Sequence, residues 1–339
     1  MRRRSPRSAW SGANRNQPKP APLRSPQTKR RNSPLPDSAA LEAVMRYHER
    51  SKHHFARFAA GPGRLDWANQ PDPFRRFAGA ALTRLPLLEP HEAPVSPDYD
   101  SLYVPGAVPS APLDVSSLSR LLEYSLALTA WKQAGGARWA LRANPSSGNL
   151  HPTEAYVLVG GIAELGASPG LFHYAPAEHG LERRADCPPD LFARLTRGLG
   201  AGGFLVGLSS VYWREAWKYG ERAFRYCQHD AGHAIGALRI AAATLGWSAL
   251  VLEGVADDTI EALLGLDRAA DYDGAERESA EVVMALWPGE AAASHSGLDA
   301  QAVNELKRGC WYGKANRLTR DDPVRWEIID TVSQASRKP

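Results

Sequence analysis

The apolar residues fall into short runs set apart by turn-forming residues, and one break in the pattern organises the rest. A segment from Arg138 to Arg142 leads into Asn144-Pro-Ser-Ser-Gly-Asn149, six residues that favour turns over helix or strand. From Ala155 to Val159 the chain is apolar at every position, the pattern of a strand buried on both faces. Upstream, apolar spacing predicts a helix from Ser38 to about Phe58, with Asp37 as its cap. A second helix is expected from Asp114 to Trp131, on the stripe Leu118, Leu121, Leu122, Ser125, Leu128 and Thr129, ended by Gly135-Gly136. Between these two, residues 61–112 are rich in proline and glycine and read as an extended arm on a surface rather than in a core. Downstream, strands are expected at Leu171–Tyr174, Phe204–Val211, Ser248–Leu252 and Ala280–Trp287. Short helices are expected at 191–199, 260–264, 298–306 and 326–332, and Cys310–Leu318 reads as an irregular basic loop. The proline-free stretch Trp213–Leu245 predicts one or two long helices, apolar and rich in small residues toward the C-terminal end. No internal repeat is present.

Composition narrows the class. At 339 residues, 43% hydrophobic and 23% charged, the chain has the profile of a globular protein with ample core. No apolar run reaches the roughly 18 residues of a membrane span, and the N-terminal arginines precede no apolar segment of a secretory signal. The three cysteines, Cys187, Cys227 and Cys310, are too scattered for a disulfide framework or a paired zinc motif, so a reducing cytoplasm is the expected compartment. The formal charge of +4 is unevenly placed. Residues 1–36 hold ten Lys/Arg and no acid, so the remainder has 31 bases against 37 acids, a net −6. That opening stretch is also rich in Pro, Ser and Asn and is expected to be disordered. The expected organisation is a basic tail over 1–37, a helix and extended arm over 38–112, and the main domain over 113–339. Nucleic acid is not an expected partner, because the tail has no folded motif and no interleaving of aromatics.

Two constellations carry chemistry. The 144–149 loop offers two hydroxyls, two carboxamides and a glycine for close backbone approach, with the Arg142 guanidinium beside them. This set suits a planar, hydrogen-bonding, anionic ligand; the plain alternative is a tight connection whose side chains satisfy one another. The second constellation is His229-Asp-Ala-Gly-His233, with Glu253 twenty residues beyond. Its spacing is that of a zinc peptidase, but the aspartate is one methylene short for a general base and the glycine weakens the helix. Such histidines are more often core or interface residues, and no metal site is expected.

The loop Arg142-x-Asn-Pro-Ser-Ser-Gly-Asn-Leu-His-Pro-Thr-Glu154 resembles the flavin loop of the nitroreductase superfamily. The likeness is strongest to the branch of SagB/ThcOx-type dehydrogenases, which oxidise azolines to azoles on ribosomal peptides. Gly246-Trp-Ser-Ala-Leu-Val-Leu-Glu-Gly254 is similar to the superfamily's Gly-x5-Pro-x-Glu-Gly segment, with Val251 in the proline's place. Tyr219–His233 is similar to the long helix that precedes it in that branch. The resemblance spans about residues 115–290. It implies an α+β nitroreductase-like fold, a central, mostly antiparallel sheet flanked by helices, with the 213–245 helix in the core or a dimer interface. It also implies an FMN-dependent oxidoreductase, the flavin held between two copies and the hydride passing through flavin N5. A small-molecule or peptide substrate follows from it, with NAD(P)H among the candidate donors. Carried over residue by residue, Arg142, Pro145, Ser146, Ser147 and Asn149 hold the ring and ribityl region, while Glu253 and Gly254 lie over N5. The superfamily's arginine-rich phosphate clamp, expected around Leu121–Thr129, is not there, which leaves Lys314 and Arg317 as phosphate candidates. No catalytic side chain is singled out. Two other readings stand beside this one: a degenerate flavin-binding or scaffold domain without activity, and a zinc hydrolase using His229 and His233.

Overall fold

The apolar run after Pro152 is a strand, and a sheet is assembled around it. In the computed structural model, which describes residues 38–89, 97–290 and 297–339, the chain opens with α1 (Ser38–Arg50), β1 (Phe77–Ala78), β2 (Leu82–Arg84) and α2 (Val115–Ser125). There follow β3 (Leu128–Ala134), β4 (Ala137–Arg142), β5 (Thr153–Val159), β6 (Gly170–Ala175), β7 (Gly180–Asp186), α3 (Pro189–Leu195) and β8 (Phe204–Ser210). The last third holds α4 (Tyr212–Tyr219), α5 (Ala223–Thr244), β9 (Trp247–Val251), α6 (Asp257–Leu264), β10 (Ser279–Pro288), α7 (Ala300–Lys307), β11 (Lys314–Ala315) and α8 (Glu327–Ala335). The expectation of a disordered tail over 1–37 lies outside the described residues.

Seven strands form one sheet in the order β2-β7-β6-β5-β8-β10-β9, every neighbouring pair antiparallel. This is the α+β architecture with a central antiparallel sheet. Both faces are covered, which is why β5 and β8 read as unbroken apolar runs rather than alternating ones. On one face, Val157, Val206 and Met284 pack against Leu118, Leu121 and Leu122 of α2 and Ala234 and Leu238 of α5. On the other, Tyr156, Leu158, Leu205 and Val283 pack against Leu191 of α3, Ile260 and Leu263 of α6 and Val303 of α7. Each such leucine, 0–4% exposed, contributes about 2 kcal/mol by leaving water.

The proline-free stretch forms two helices, not one. The break is Gly220, at φ +53, where an added Cβ would lie 2.7 Å from the carbonyl of Ala60 and 2.8 Å from the Trp326 ring. Buried Glu221 then binds the backbone N–H of Ala60 at 2.6 Å and the Arg50 guanidinium at 2.5 Å, tying the early chain to α5.

Four expectations change. The first helix ends at Arg50 rather than near Phe58, and of its apolar positions only Tyr47 is buried. The second ends at Ser125: Leu128, Thr129 and Trp131 belong to β3, which turns at Gly135 (φ +56) into β4 as a two-stranded hairpin. The arm over 61–112 is not wholly superficial, because Arg75, Phe77 and Leu85 are 0–6% exposed and β2 forms an edge of the main sheet. Strand β7 was not expected at all. Its Leu-Glu-Arg-Arg-Ala sequence looks solvated, yet Glu182 and Arg184 are buried against opposite charges.

Candidate functional site

The polar loop sits at the mouth of β5, between the β3–β4 hairpin and the start of α5. Its shape is set by an aspartate on α5. Asp230 accepts hydrogen bonds from Ser146 Oγ at 2.9 Å, Ser147 N–H at 3.0 Å and Ser147 Oγ at 3.0 Å. Ser146 Oγ in turn accepts the N–H of His151 at 2.8 Å, and Asn149 donates its amide to the carbonyl of Ala140. Gly148 (φ +60), Asn149 (φ +61) and His151 (φ +51) all take left-handed backbone to make the turn. Both serine hydroxyls therefore spend their hydrogens on Asp230, while Asn149, whose amide nitrogen donates to Ala140, has its side-chain oxygen left to accept. Burial pushes the Asp230 carboxyl above its ordinary range, and the serine hydrogen bonds pull it back.

Behind the loop lies a buried array of charges. Arg142, 9% exposed, donates to the carbonyls of Thr153 and Pro73. Burial lowers its pKa to about 10, so it remains a cation at neutral pH. Arg214, fully buried on α4, donates to the carbonyl of His151 at 2.8 Å and that of Asp72 at 3.0 Å, and pairs with Glu154. Glu154 also meets His173 at 3.0 Å, and the other ring nitrogen of His173 meets Glu182 at 3.0 Å. The row ends at the partly exposed Arg76, 2.7 Å from Glu182. Although burial alone would lower it, the His173 pKa is raised by its two carboxylate partners; those of Glu154 and Glu182 are lowered against the desolvation that opposes them.

Not every polar atom in this region is satisfied. Among the described residues fourteen buried side-chain polar atoms have no hydrogen-bond partner, and seven of them are here. On the loop and its flanks they are Arg142 Nε, Asn144 Oδ1, His151 Nδ1 and Thr153 Oγ1; beneath it they are Arg214 Nη2 and both oxygens of Glu215. Glu215 lies near Asp230 and is pushed well above its ordinary pKa, chiefly by burial. A buried polar atom without a partner costs about 1–3 kcal/mol, so a concentration of this kind marks a place built to receive polar groups. In front of the loop opens a cavity of about 280 Å³ lined by Asn149 and His151, the arm at Asp72–Phe74, and Trp131 and Arg138 of the hairpin.

The structure places the remaining predicted residues as follows. Pro145 is exposed at the loop tip. Glu253 and Gly254, both exposed, follow β9 at the same end of the sheet as the loop: Thr153 is opposite Ser210, Ser210 opposite Ser279, and β9 runs toward that end. Strands β8 and β10 stand between the two corners, which are therefore at least about 14 Å apart, the sideways width of three strand spacings. Lys314 is exposed on β11, paired with Ala78 of β1. Arg317 is already engaged with the carbonyl of Thr319 at 2.8 Å and with Asp322 at 2.6 Å. Of the nine predicted residues, the loop set from Arg142 to Asn149 is brought together, and the Glu253–Gly254 pair lies apart from it.

Sequence reasoning counted Asn144 in the loop but gave it no role, and it missed Asp230, Arg214 and the Glu154–His173–Glu182 row. Asp230 was visible only within the His-Asp-Ala-Gly-His motif, where it suggested metal chemistry. The structure turns that motif inside out, with Asp230 buried on the loop and His229 and His233 exposed. Among the described residues no group of three or more His, Cys, Asp or Glu could hold a metal ion.

A sequence model described as the Nitroreductase family matches residues 121–275, which hold the loop, α5 and the Glu253–Gly254 corner. Over those 155 residues, a little under half of its length, the chain is similar to the nitroreductase family. The protein MJ1384 of Methanocaldococcus jannaschii, which carries a nitroreductase designation, is 25% identical over 159 residues, 46% of this chain and 76% of that protein. A crystal structure from Anabaena variabilis ATCC 29413, also designated a nitroreductase, overlays with a TM-score of 0.55 at 29% identity. The overlay covers 72% of this chain but 46% of the Anabaena chain, so this chain spans a little under half of that relative's length. The E. coli microcin synthetase McbBCD complex with truncated pro-MccB17 bound aligns more loosely, with a TM-score of 0.42 at 19% identity over 76% of this chain and 94% of that one, and carries no functional weight. The expected nitroreductase-like fold is therefore the fold observed. No described helix is long and apolar enough to cross a membrane.

Proposed function

We propose that this protein is an FMN-dependent oxidoreductase of the SagB/ThcOx-type branch of the nitroreductases, acting as a homodimer on a small-molecule or peptide substrate, with NAD(P)H as a candidate donor. The observation that carries the reading is the set of unsatisfied buried atoms around the loop. Three of them fit the flavin's polar edge: Arg142 Nε is a donor, Asn144 Oδ1 is an acceptor, and Thr153 Oγ1 can serve as either. Arg142, Pro145, Ser146, Ser147 and Asn149 would hold the ring and ribityl region, with Glu253 and Gly254 over the reactive face and Lys314 and Arg317 toward the phosphate. Bound FMN supplies hydride transfer at its N5; the protein supplies position and charge.

The chain's own residues do three things in this reading. Arg142 holds a permanent cation in a site dry enough to favour negative charge on a bound ring. The Asp230 clamp fixes the serine turn, so the loop's acceptors are set before a ligand arrives. The separation of the two corners favours completion by a second copy, each copy's Glu253–Gly254 reaching the other's loop. The outer face of α5 suits that pairing: His229, Gly232 and His233 are exposed, Ile240 is 47% exposed, and an added Cβ at Gly232 or Gly236 would meet nothing within 4 Å.

The test is flavin binding. Purified protein soaked in FMN should retain it at near one per chain, and Arg142→Ala and Asn149→Ala should each weaken binding by tenfold or more. Retention of flavin by both variants at unchanged affinity would refute the assignment. A protein that stays colourless at saturating FMN would favour the scaffold reading.

A further inference from the structure

The cavity in front of the loop presents two unlike walls. The hairpin side is aromatic and cationic: Arg138 stacks on the Trp131 ring at 4.2 Å, and the Phe74 ring lies 6.3 Å from Trp131. The loop side is made of acceptors. His151 is 2% exposed; its Nε2 lies 3.3 Å from the carbonyl of Ala140, to which it can only donate, so Nδ1 carries a lone pair, and that atom has no partner. Asp72 also lines the cavity, with one oxygen accepting from Phe74 N–H at 2.9 Å. Register places Trp131, Arg138 and Ala140 on the same face of the hairpin, so the stacked pair is aimed at the cavity by the sheet itself.

We propose that this cavity is the substrate seat beside the cofactor loop, and that it takes a planar heteroaromatic carboxylate with a ring N–H. The ring would lie along Trp131 and Phe74. The carboxylate would meet the Arg138 guanidinium, whose fork matches a carboxylate's two oxygens. The ring N–H would donate to His151 Nδ1, the atom otherwise left without a partner. A volume of about 280 Å³ admits a fused bicyclic ring with one small substituent and little more. The inference rests on the flavin reading above, because it places the seat next to the loop that reading assigns to the cofactor.

The experiment is calorimetric titration of FMN-loaded protein with indole-3-carboxylate, indole, and 1-methylindole-3-carboxylate. The first should bind, and loss of the carboxylate or of the ring N–H should each weaken binding about tenfold, one good charged or buried hydrogen bond apiece. Arg138→Gln should reproduce the loss seen with indole, and Trp131→Leu should weaken all three ligands. Both positions are on the exposed hairpin, and both variants should keep wild-type flavin content. If none of the three ligands binds, or if the three bind alike, the seat is wrongly assigned. If Arg138→Gln sheds FMN, or excess FMN displaces the indole acid, the cavity is the flavin's own seat, and the substrate proposal falls while the flavin reading stands. Absence of FMN from the starting protein would instead sink the flavin reading, on which the seat depends.

Discussion

Replacing Asp230 with alanine should loosen the loop while leaving the sheet intact. Asp230 is fully buried on α5 and accepts three hydrogen bonds from two consecutive loop residues. Hydrogen bonds to a charged acceptor contribute about 1.5–3 kcal/mol each when fully buried. Here the serines are half-buried and can turn to water in the variant, which cuts each to roughly 1 kcal/mol. Alanine also relieves the burial of a carboxylate and adds about 0.5 kcal/mol of helix propensity. The net expectation is a loss of about 2 kcal/mol, mostly as local opening of residues 146–151. The most direct assay is hydrogen exchange at Ser147, whose N–H points at the missing carboxylate: a 2 kcal/mol change speeds exchange about 30-fold. FMN affinity should fall by about tenfold, because the loop must then be ordered during binding. Asp230→Asn, which keeps one acceptor oxygen, should show roughly half the effect. Unchanged exchange at Ser147 and unchanged flavin affinity in the alanine variant would mean that the turn holds itself and that the clamp is incidental.

Three further outcomes are expected. Gly148→Ala forces a side chain into left-handed backbone and against the Tyr219 hydroxyl and Lys218 amine, so it should cost about 1–2 kcal/mol by denaturant melt, with partial recovery in Gly148→Ala/Tyr219→Phe. Glu154→Gln leaves Arg214 and His173 facing a neutral amide in the interior and should cost about 3–5 kcal/mol; a loss under about 1 kcal/mol would show that the row is not ionised. Glu281, at the β10 entrance beside Gln228, has its pKa raised by burial to about 7 from 4.5. Between those values the folded state holds a proton that the unfolded state has lost, so this group makes stability fall as pH rises through the window. Glu281→Gln should remove that slope in melts taken from pH 5 to 8, and an identical slope in both proteins would refute the assignment.

What could be read from the sequence follows from which forces act locally. The loop was legible because turn chemistry is local: Asn-Pro-Ser-Ser-Gly-Asn needs no distant partner to resist helix and strand. So were β5, β8 and β10, whose unbroken apolar runs reflect cover on both faces. Strand β7 was hidden because its buried charges, Glu182 and Arg184, find partners at Arg76 and Asp271, far from it in sequence, and at His173 on the preceding strand, which no local pattern marks as a partner. The start of strand β3 was misread as helix because Leu128 and Thr129 happen to continue the α2 stripe. A better signal was available in Gln-Ala-Gly-Gly-Ala-Arg, two glycines between residues that pair, the pattern of a tight hairpin. At the candidate site, the residues facing a ligand were visible and those holding them in place were not. Asp230 and Arg214 act on the loop from sequence distances of 83 and 63 residues, and nothing in a local pattern marks such a contact.

That division has a physical sense. A loop that must present acceptors and a cation to a ligand cannot be rigidified by its own polar groups without consuming them. Here the rigidity comes from behind. Arg214 fixes the His151 carbonyl, Glu154 fixes Arg214, and His173 and Glu182 fix Glu154 across three strands, while Phe77 closes over the His173 ring at 5.1 Å. In that row only Arg76 reaches solvent appreciably, so water does little to soften the chain of contacts. The front of the loop is then free to keep Arg142 Nε, Asn144 Oδ1 and His151 Nδ1 unsatisfied, at a cost that only a well-packed frame of this kind can carry. A loop stiffened by its own hydrogen bonds would be equally stable and would have nothing left to offer a ligand.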